Sequence, residues 1–144
     1  MLRSIILALA LVGAAHTNAQ AEDTGRLTIQ LQGLAPQGSV MLQLFNSEAG
    51  YDGGDGVGAR MVEITAPTAE VSFENLPPGQ YAFRLFHDVN GDGRMNTNPF
   101  GMPTEPFAFS NNARGQFGPA GWDAAAFTLN AGANVQQINV GGAR

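Results

Sequence analysis

The stretch Leu76-Pro77-Pro78-Gly79-Gln80-Tyr81-Ala82-Phe83-Arg84-Leu85-Phe86-His87 decides the fold class. Its Pro-Pro-Gly segment breaks any preceding regular element, because proline lacks a backbone N–H and glycine tolerates turn conformations. The following residues have the length and aromatic content of a strand, whose one face would carry Tyr81, Phe83, Leu85 and His87. The stretch therefore predicts a β-sheet with a buried face.

Shorter runs of the same kind lie on both sides of this strand. They predict strands over 26–32, 39–46, 60–65, 70–74, 127–129 and 134–140, with a helical turn before the strand at 127. Nineteen glycines and eight prolines supply the turns between them. Seven or so short strands predict an all-β fold, a single antiparallel β-sandwich of immunoglobulin-like or transthyretin-like type, with a long loop rich in Gly, Pro and Phe.

The beginning of the chain has the order of a secretory signal peptide. Arg3 gives a positive start, residues 5–15 form an apolar run, and Ala19-Gln20-Ala21 is a small-x-small cleavage motif. We expect cleavage after Ala21, which makes 1–21 the signal peptide and 22–144 a single domain in the periplasm or outside the cell. No second long apolar run follows, so we expect no membrane span in the mature chain.

Charge and cysteine content exclude several classes of protein. The net charge is −5, and the arginines are scattered instead of forming a basic patch, so we expect no nucleic-acid partner. The chain has no cysteine, which excludes disulfides and a lipid-modified N-terminal cysteine.

The segment after the long strand, Asp88-Val89-Asn90-Gly91-Asp92-Gly93-Arg94-Met95-Asn96, places oxygen-bearing side chains at alternate positions. Short carboxylate and amide side chains followed by glycine are the pattern of a calcium-binding loop. In an EF-hand the loop would end with a glutamate at the position of Pro99, and a helix would precede it. The pattern therefore predicts a weak Ca²⁺ site, with a Kd of about 10⁻⁴–10⁻³ M, closed by a more distant ligand. The predicted ligands are Asp88, Asn90, Asp92, the Arg94 carbonyl, Asn96 and Glu105.

Two alternatives for this segment remain open. Asn90-Gly91 and Asp92-Gly93 are efficient turn formers that could simply join two strands. In an intermediate version, the Asp and Asn side chains accept hydrogen bonds from the loop's own backbone without a metal.

The region 99–122 has no periodicity but holds four of the nine phenylalanines and the only tryptophan. Such an aromatic content argues against disorder. One interpretation is a binding platform; the other is a plug that closes the end or side of the sandwich. The residues concerned are Phe100, Phe107, Phe109, Phe117 and Trp122.

Several motifs, in this order, resemble the bacterial domain-of-unknown-function family 2141. They are Leu-Pro-Pro-Gly-Gln-Tyr-Ala from Leu76, His-Asp-Val-Asn-Gly-Asp-Gly from His87, Phe-Gly-Met-Pro-Thr-Glu from Phe100, Phe-Ser-Asn-Asn-Ala from Phe109 and Phe-Gly-Pro from Phe117. The resemblance implies a small exported all-β domain of Gram-negative-type bacteria and no particular activity. The first motif also resembles the start of a core strand in transthyretin-like and collagen-adhesin B-type sandwiches.

Three hypotheses for function follow. The first is a non-catalytic binding or structural module of the cell envelope, stabilised by calcium, with an envelope protein, peptide or carbohydrate as partner. The alternative is a small periplasmic hydrolase that uses His87, Asp88 and Glu105 as its acid–base groups. The third is a subunit of an envelope assembly. Convergence of His87 and the carboxylates in a solvent-open cleft would favour the enzyme, and a buried, fully hydrogen-bonded His87 would favour the module.

Overall fold

A computed structural model describes residues 23–141, and the predicted signal peptide lies outside this range. The described chain is mostly β, with eight strands and two short helices. No helix in it is long and apolar enough to cross a membrane. The elements are β1 (Gly25–Gln32), β2 (Ser39–Phe45), α1 (Glu48–Gly53), β3 (Gly58–Glu63), β4 (Ala69–Leu76), β5 (Gly79–Asp88), β6 (Phe107–Phe109), a 3₁₀ turn (Ser110–Asn112), α2 (Trp122–Ala125), β7 (Phe127–Leu129) and β8 (Gly132–Asn139).

The strands form two sheets. The first has the order β4-β1-β8 and the second β3-β2-β5-β6, while β7 pairs with the first residues of β5. The expectation of a wholly antiparallel fold is wrong at one place, because β1 and β8 pair in parallel from Gly25↔Gly132 to Gln32↔Asn139. A parallel pair needs a long connection, and here the rest of the domain provides it.

Both sheets contribute to one buried core. Leu27, Ile29 and Leu31 of β1 pack in the same cluster as Phe83 and Leu85 of β5. The alternation predicted for the long strand is therefore confirmed, since its apolar face is the one that the first sheet covers. Phe83 is fully buried and makes an edge-to-face contact with Phe127 on the short strand β7.

A second apolar cluster covers one end of the opposite face of the second sheet. Its buried members come from β2, α1, β5, β6, α2 and the segment before α2: Phe45, Tyr51, Ala82, Phe109, Ala120 and Ala125. The Tyr51 hydroxyl donates a hydrogen bond of 2.6 Å to the carbonyl oxygen of Ala120, and burial raises the pKa of this tyrosine. This outer cluster includes Tyr51 of helix α1, and the helix lies between the predicted strands at 39–46 and 60–65.

Ser110 joins this cluster to β5. Its buried hydroxyl accepts a hydrogen bond from the Phe83 N–H at 3.0 Å and donates one to the Ala125 carbonyl oxygen at 2.6 Å.

We expect Ser110→Ala to lower the free energy of unfolding by about 2 kcal/mol, because buried polar backbone groups lose their partner. Urea denaturation measures this loss. Ser72→Ala, on half-buried β4, is the control and should change stability by less than about 0.5 kcal/mol. Equal effects of the two variants would contradict the prediction.

Candidate functional site

Asp88 is the last residue of β5 and begins the candidate site. Gly38, in the turn before β2, lets the backbone pack closely here, because a Cβ atom on it would lie 2.1 Å from the Asp88 carbonyl oxygen. The side chain of Asp88 is buried, and its two carboxylate oxygens accept hydrogen bonds from Gly91 N at 3.1 Å and Gly93 N at 2.7 Å. Gly93 adopts a φ of 77°, which explains the glycine after Asp92. The carboxylate thus organises the turn around itself.

The loop that follows continues this arrangement. Asn90 Oδ1 accepts from Asp92 N at 3.1 Å, and Asp92 Oδ1 accepts from Arg94 N at 2.9 Å. The Asn96 amide donates to Asp92 Oδ2 at 2.8 Å and accepts from Asn90 Nδ2 at 3.0 Å. The side chains of Asn90, Asp92 and Asn96 therefore contact one another. Asn90 and Asp92 also bond the loop's own backbone, as the intermediate alternative expected.

Glu105 reaches the same place from the far end of a hairpin-like loop, residues 96–104. This hairpin loop is held by the Thr97↔Pro103 bridge and by the bond from Thr104 N to Asn96 O. Glu105 Oε2 accepts a hydrogen bond from Asn96 N at 3.3 Å. The side chain is only 8 % exposed, and its Oε1 atom is buried without a hydrogen-bond partner in the described residues.

Asp88, Asp92 and Glu105 form what we name the carboxylate cluster. One oxygen from each lies within 4.8 Å of the others. Oxygens that share one Ca²⁺ ion at about 2.3–2.6 Å are at most about 5 Å apart, so this spacing suits a single calcium ion. A carboxylate oxygen that accepts one hydrogen bond keeps a second lone pair, and Glu105 Oε1 accepts none in the described residues.

Asp92 is the exposed member of the cluster, and its ionisation is favoured. The hydrogen bond from Arg94 N holds the pKa of Asp92 below its ordinary value, and the bond from the Asn96 amide acts in the same direction. A carboxyl with a lowered folded-state pKa stabilises the fold above its unfolded pKa, and this contribution disappears as the pH falls through the folded value. At neutral pH the Asp92 side chain is therefore an anion.

His87 lies on the other side of the strand from Asp88. It is fully buried, and its Nε2 atom is 2.6 Å from the Gln37 carbonyl oxygen. Its Nδ1 atom has no hydrogen-bond partner in the described residues, so the ring is buried but not fully hydrogen-bonded. Because no part of the ring reaches solvent, His87 cannot meet a substrate in this structure. The geometry gives the hydrolase hypothesis no support.

The predicted aromatic residues divide into two groups. Phe100 and Phe117 are 89 % and 103 % exposed, and both line a groove that Phe107 and Phe109 also line. Trp122 lies apart from this groove and packs on Tyr51 in the outer cluster, with 5.9 Å between ring centroids. The region thus contributes rings both to the outer cluster and to the exposed groove, and Phe107 and Phe109 contact both.

Sequence reasoning missed the methionines that share the groove. Met41 and Met61 sit on β2 and β3 at positions that face away from the core, and Met95 and Met102 come from the loops above. The sequence feature that could have identified them is an apolar residue at an outward-facing position of a strand. Met41, between the buried residues Val40 and Leu42, is an example.

The fold and the site define a class: a small, mostly β domain with a carboxylate-lined loop at the end of a central strand. The chain belongs to the bacterial family described as "Uncharacterized protein conserved in bacteria (DUF2141)", whose model matches residues 29–137. The resemblance deduced from its motifs is thereby confirmed. No curated protein and no solved structure matches the chain significantly.

Proposed function

We propose that this protein is an exported, non-catalytic binding module of the bacterial cell envelope, and that one Ca²⁺ ion stabilises its loop between Asp88 and Glu105. The main support for the calcium site is that the Oε1 atom of Glu105 is buried without a hydrogen-bond partner in the described residues. A buried carboxylate oxygen without a hydrogen-bond donor is costly. A cation bound in the carboxylate cluster would supply the missing partner.

The ligand set matches the chemistry of calcium in particular. Hard cations prefer oxygen ligands, and calcium accepts irregular sets of carboxylate, amide and carbonyl oxygens. Asp88, Asp92 and Glu105 supply carboxylates, and rotating the Asn96 amide about its last bond would bring its oxygen to the atom position now hydrogen-bonded to Asp92. No histidine or cysteine takes part, which disfavours zinc.

The type of β fold is part of the same proposal. We infer that the two sheets form a sandwich of immunoglobulin-like or transthyretin-like type. A hydrogen bond of 2.6 Å from the Tyr81 hydroxyl to the Pro77 carbonyl oxygen supports this inference, because it resembles the tyrosine corner of immunoglobulin-type sandwiches. A rigid sandwich that presents loops at its ends suits a binding role better than a catalytic one.

Calcium titration of the purified protein by calorimetry tests the proposal. We expect one ion to bind with a Kd of about 10⁻⁴–10⁻³ M, because few charged ligands surround it. Asp92→Asn should weaken binding at least about tenfold, a loss of about 1.4 kcal/mol, since one anionic ligand disappears. Asp92 is exposed, so this variant should fold normally.

Asp123→Asn is the matched control, because Asp123 is equally exposed but lies in helix α2. Its calcium affinity should equal that of the wild type. The absence of both binding heat and a calcium-dependent rise in melting temperature would refute the calcium site. Equal weakening by both variants would show that calcium only screens the overall negative charge.

A further inference from the structure

The outer face of the second sheet carries an apolar row that crosses four strands. Met41 on β2 is paired with Met61 on β3 and with Phe86 on β5. Phe86 is in turn paired with Phe107 on β6. Side chains at directly paired positions project from the same face of a sheet. The four residues therefore form a continuous floor, which adjoins the outer cluster at Phe107.

Two loops wall this floor and turn it into an open groove. The hairpin loop contributes Phe100, Met102 and Pro103 on one side, and the segment 116–119 contributes Phe117. The cavity volume is about 1070 Å³. This volume lies at the upper end of the usual range for small-molecule sites, about 300–1,000 Å³. We name this cavity the apolar groove.

The apolar groove gathers most of the exposed large apolar side chains. Seven such residues occur in the described chain, and five of them line the groove, the exceptions being Val57 and Val135. All four methionines of residues 23–141 are among the lining residues. Methionine is flexible and polarisable, so it can adapt to a ligand chain that has no fixed shape. A concentration of this kind indicates an interaction site.

The charges of the groove are opposite to those of the chain as a whole. The net charge is −5, yet no Asp or Glu lines the groove, while Arg60 and Arg84 do. Arg84 lies in the row of paired residues next to the apolar floor, between Gln43 and Phe109. Its guanidinium is held over the Phe45 ring, with 4.7 Å from Cζ to the ring centroid. A cationic group is thus fixed beside an apolar channel.

We propose that the apolar groove binds one long-chain carboxylate as a free molecule, with its hydrocarbon tail on the Met61–Met41–Phe86–Phe107 floor and its head group near Arg84. A peptide fits less well, because its backbone would need hydrogen-bond partners that this floor does not offer. The inference rests on the proposed role as a binding module, but the floor lies on the sheet and does not require calcium.

The test uses three probes that share a dodecyl-length chain, each kept below its micelle-forming concentration. They are laurate, neutral dodecyl maltoside and cationic dodecyltrimethylammonium, titrated calorimetrically into the purified protein. We expect saturable 1:1 binding of laurate at least about tenfold tighter than binding of either other probe. Arg84→Gln should weaken laurate binding at least about tenfold and so remove its preference over dodecyl maltoside.

Met61→Glu supplies the variant for the floor, because Met61 is 71 % exposed on the edge strand β3 and the variant should fold. A carboxylate there should weaken laurate binding at least about tenfold by repulsion and by lost apolar contact. Val135→Glu is the control, because Val135 is 59 % exposed on β8 and outside the groove. It should bind laurate like the wild type.

Each contrary result overturns the proposal in a different way. If laurate does not bind, or if all three probes bind equally well, the groove has no preference for a carboxylate ligand. Binding to anionic phospholipid vesicles without binding to monomeric laurate would assign the groove to a membrane surface. A dimer that Met61→Glu dissociates would assign it to a second copy of the chain. Laurate is titrated in EDTA and calcium is titrated without laurate, because calcium precipitates long-chain carboxylates. Laurate binding in EDTA without any calcium binding would refute the calcium site and leave the groove proposal intact.

Discussion

A Glu105→Gln variant will melt above the wild type in EDTA and below it in saturating calcium. Without a cation, Glu105 places a buried negative charge within 4.8 Å of the Asp88 carboxylate, and one of its oxygens has no hydrogen-bond partner. Glutamine keeps an oxygen for the Asn96 N–H and removes the charge. We expect the variant to gain on the order of 1 kcal/mol, or a few degrees, in EDTA.

Calcium reverses this order. At a concentration of about 100 times the Kd, the ion adds about 2.7 kcal/mol to the stability of the protein that binds it. The glutamine variant lacks one anionic ligand and should gain little. Thermal denaturation in the two buffers measures both effects. Glu70→Gln, on the exposed side of β4, should leave the calcium response unchanged. A destabilisation by Glu105→Gln in both buffers would mean that Glu105 is a structural residue and not a cation ligand.

The parts of the fold with a regular period were predictable from sequence. The alternation of large apolar residues gave β5 and its buried face, and the short run at 127–129 gave β7 with a helical turn before it. The alternate Asp and Asn residues after β5 identified the loop, because their hydrogen bonds are local and follow from spacing alone. The choice of Glu105 as the distant member required only that no other acid lies between Asp92 and Asp123.

The parts that depend on tertiary contacts were not predictable. β6 has three residues, too few to show a period, and it exists because it pairs with β5 between Arg84↔Phe109 and Phe86↔Phe107. The parallel register of β8 with β1 depends on how the whole chain returns to its start. The groove has the same origin, since its four floor residues come from four strands and no short segment of sequence contains two of them.

Replacing Phe83 with alanine will produce the largest loss of stability among the aromatic residues discussed. The side chain is fully buried in the core between the two sheets, contacts Phe127 edge to face, and lies on the strand that both β2 and β6 pair with. Truncation removes the apolar contacts and leaves a cavity, which costs about 3–5 kcal/mol. Urea denaturation should show a midpoint lower by about 1 M or more.

Phe117→Ala is the matched comparison, since it makes the same chemical change at a ring that is 103 % exposed. It should change stability by less than about 0.5 kcal/mol, because the folded protein buries none of this ring. Phe117→Ala should instead weaken laurate binding, because Phe117 lines the apolar groove. If Phe117→Ala destabilised the protein as Phe83→Ala does, the ring would belong to the core and the groove would lose this wall. The pair of variants therefore separates the contribution of a buried ring to stability from the contribution that we propose for an exposed ring to ligand binding.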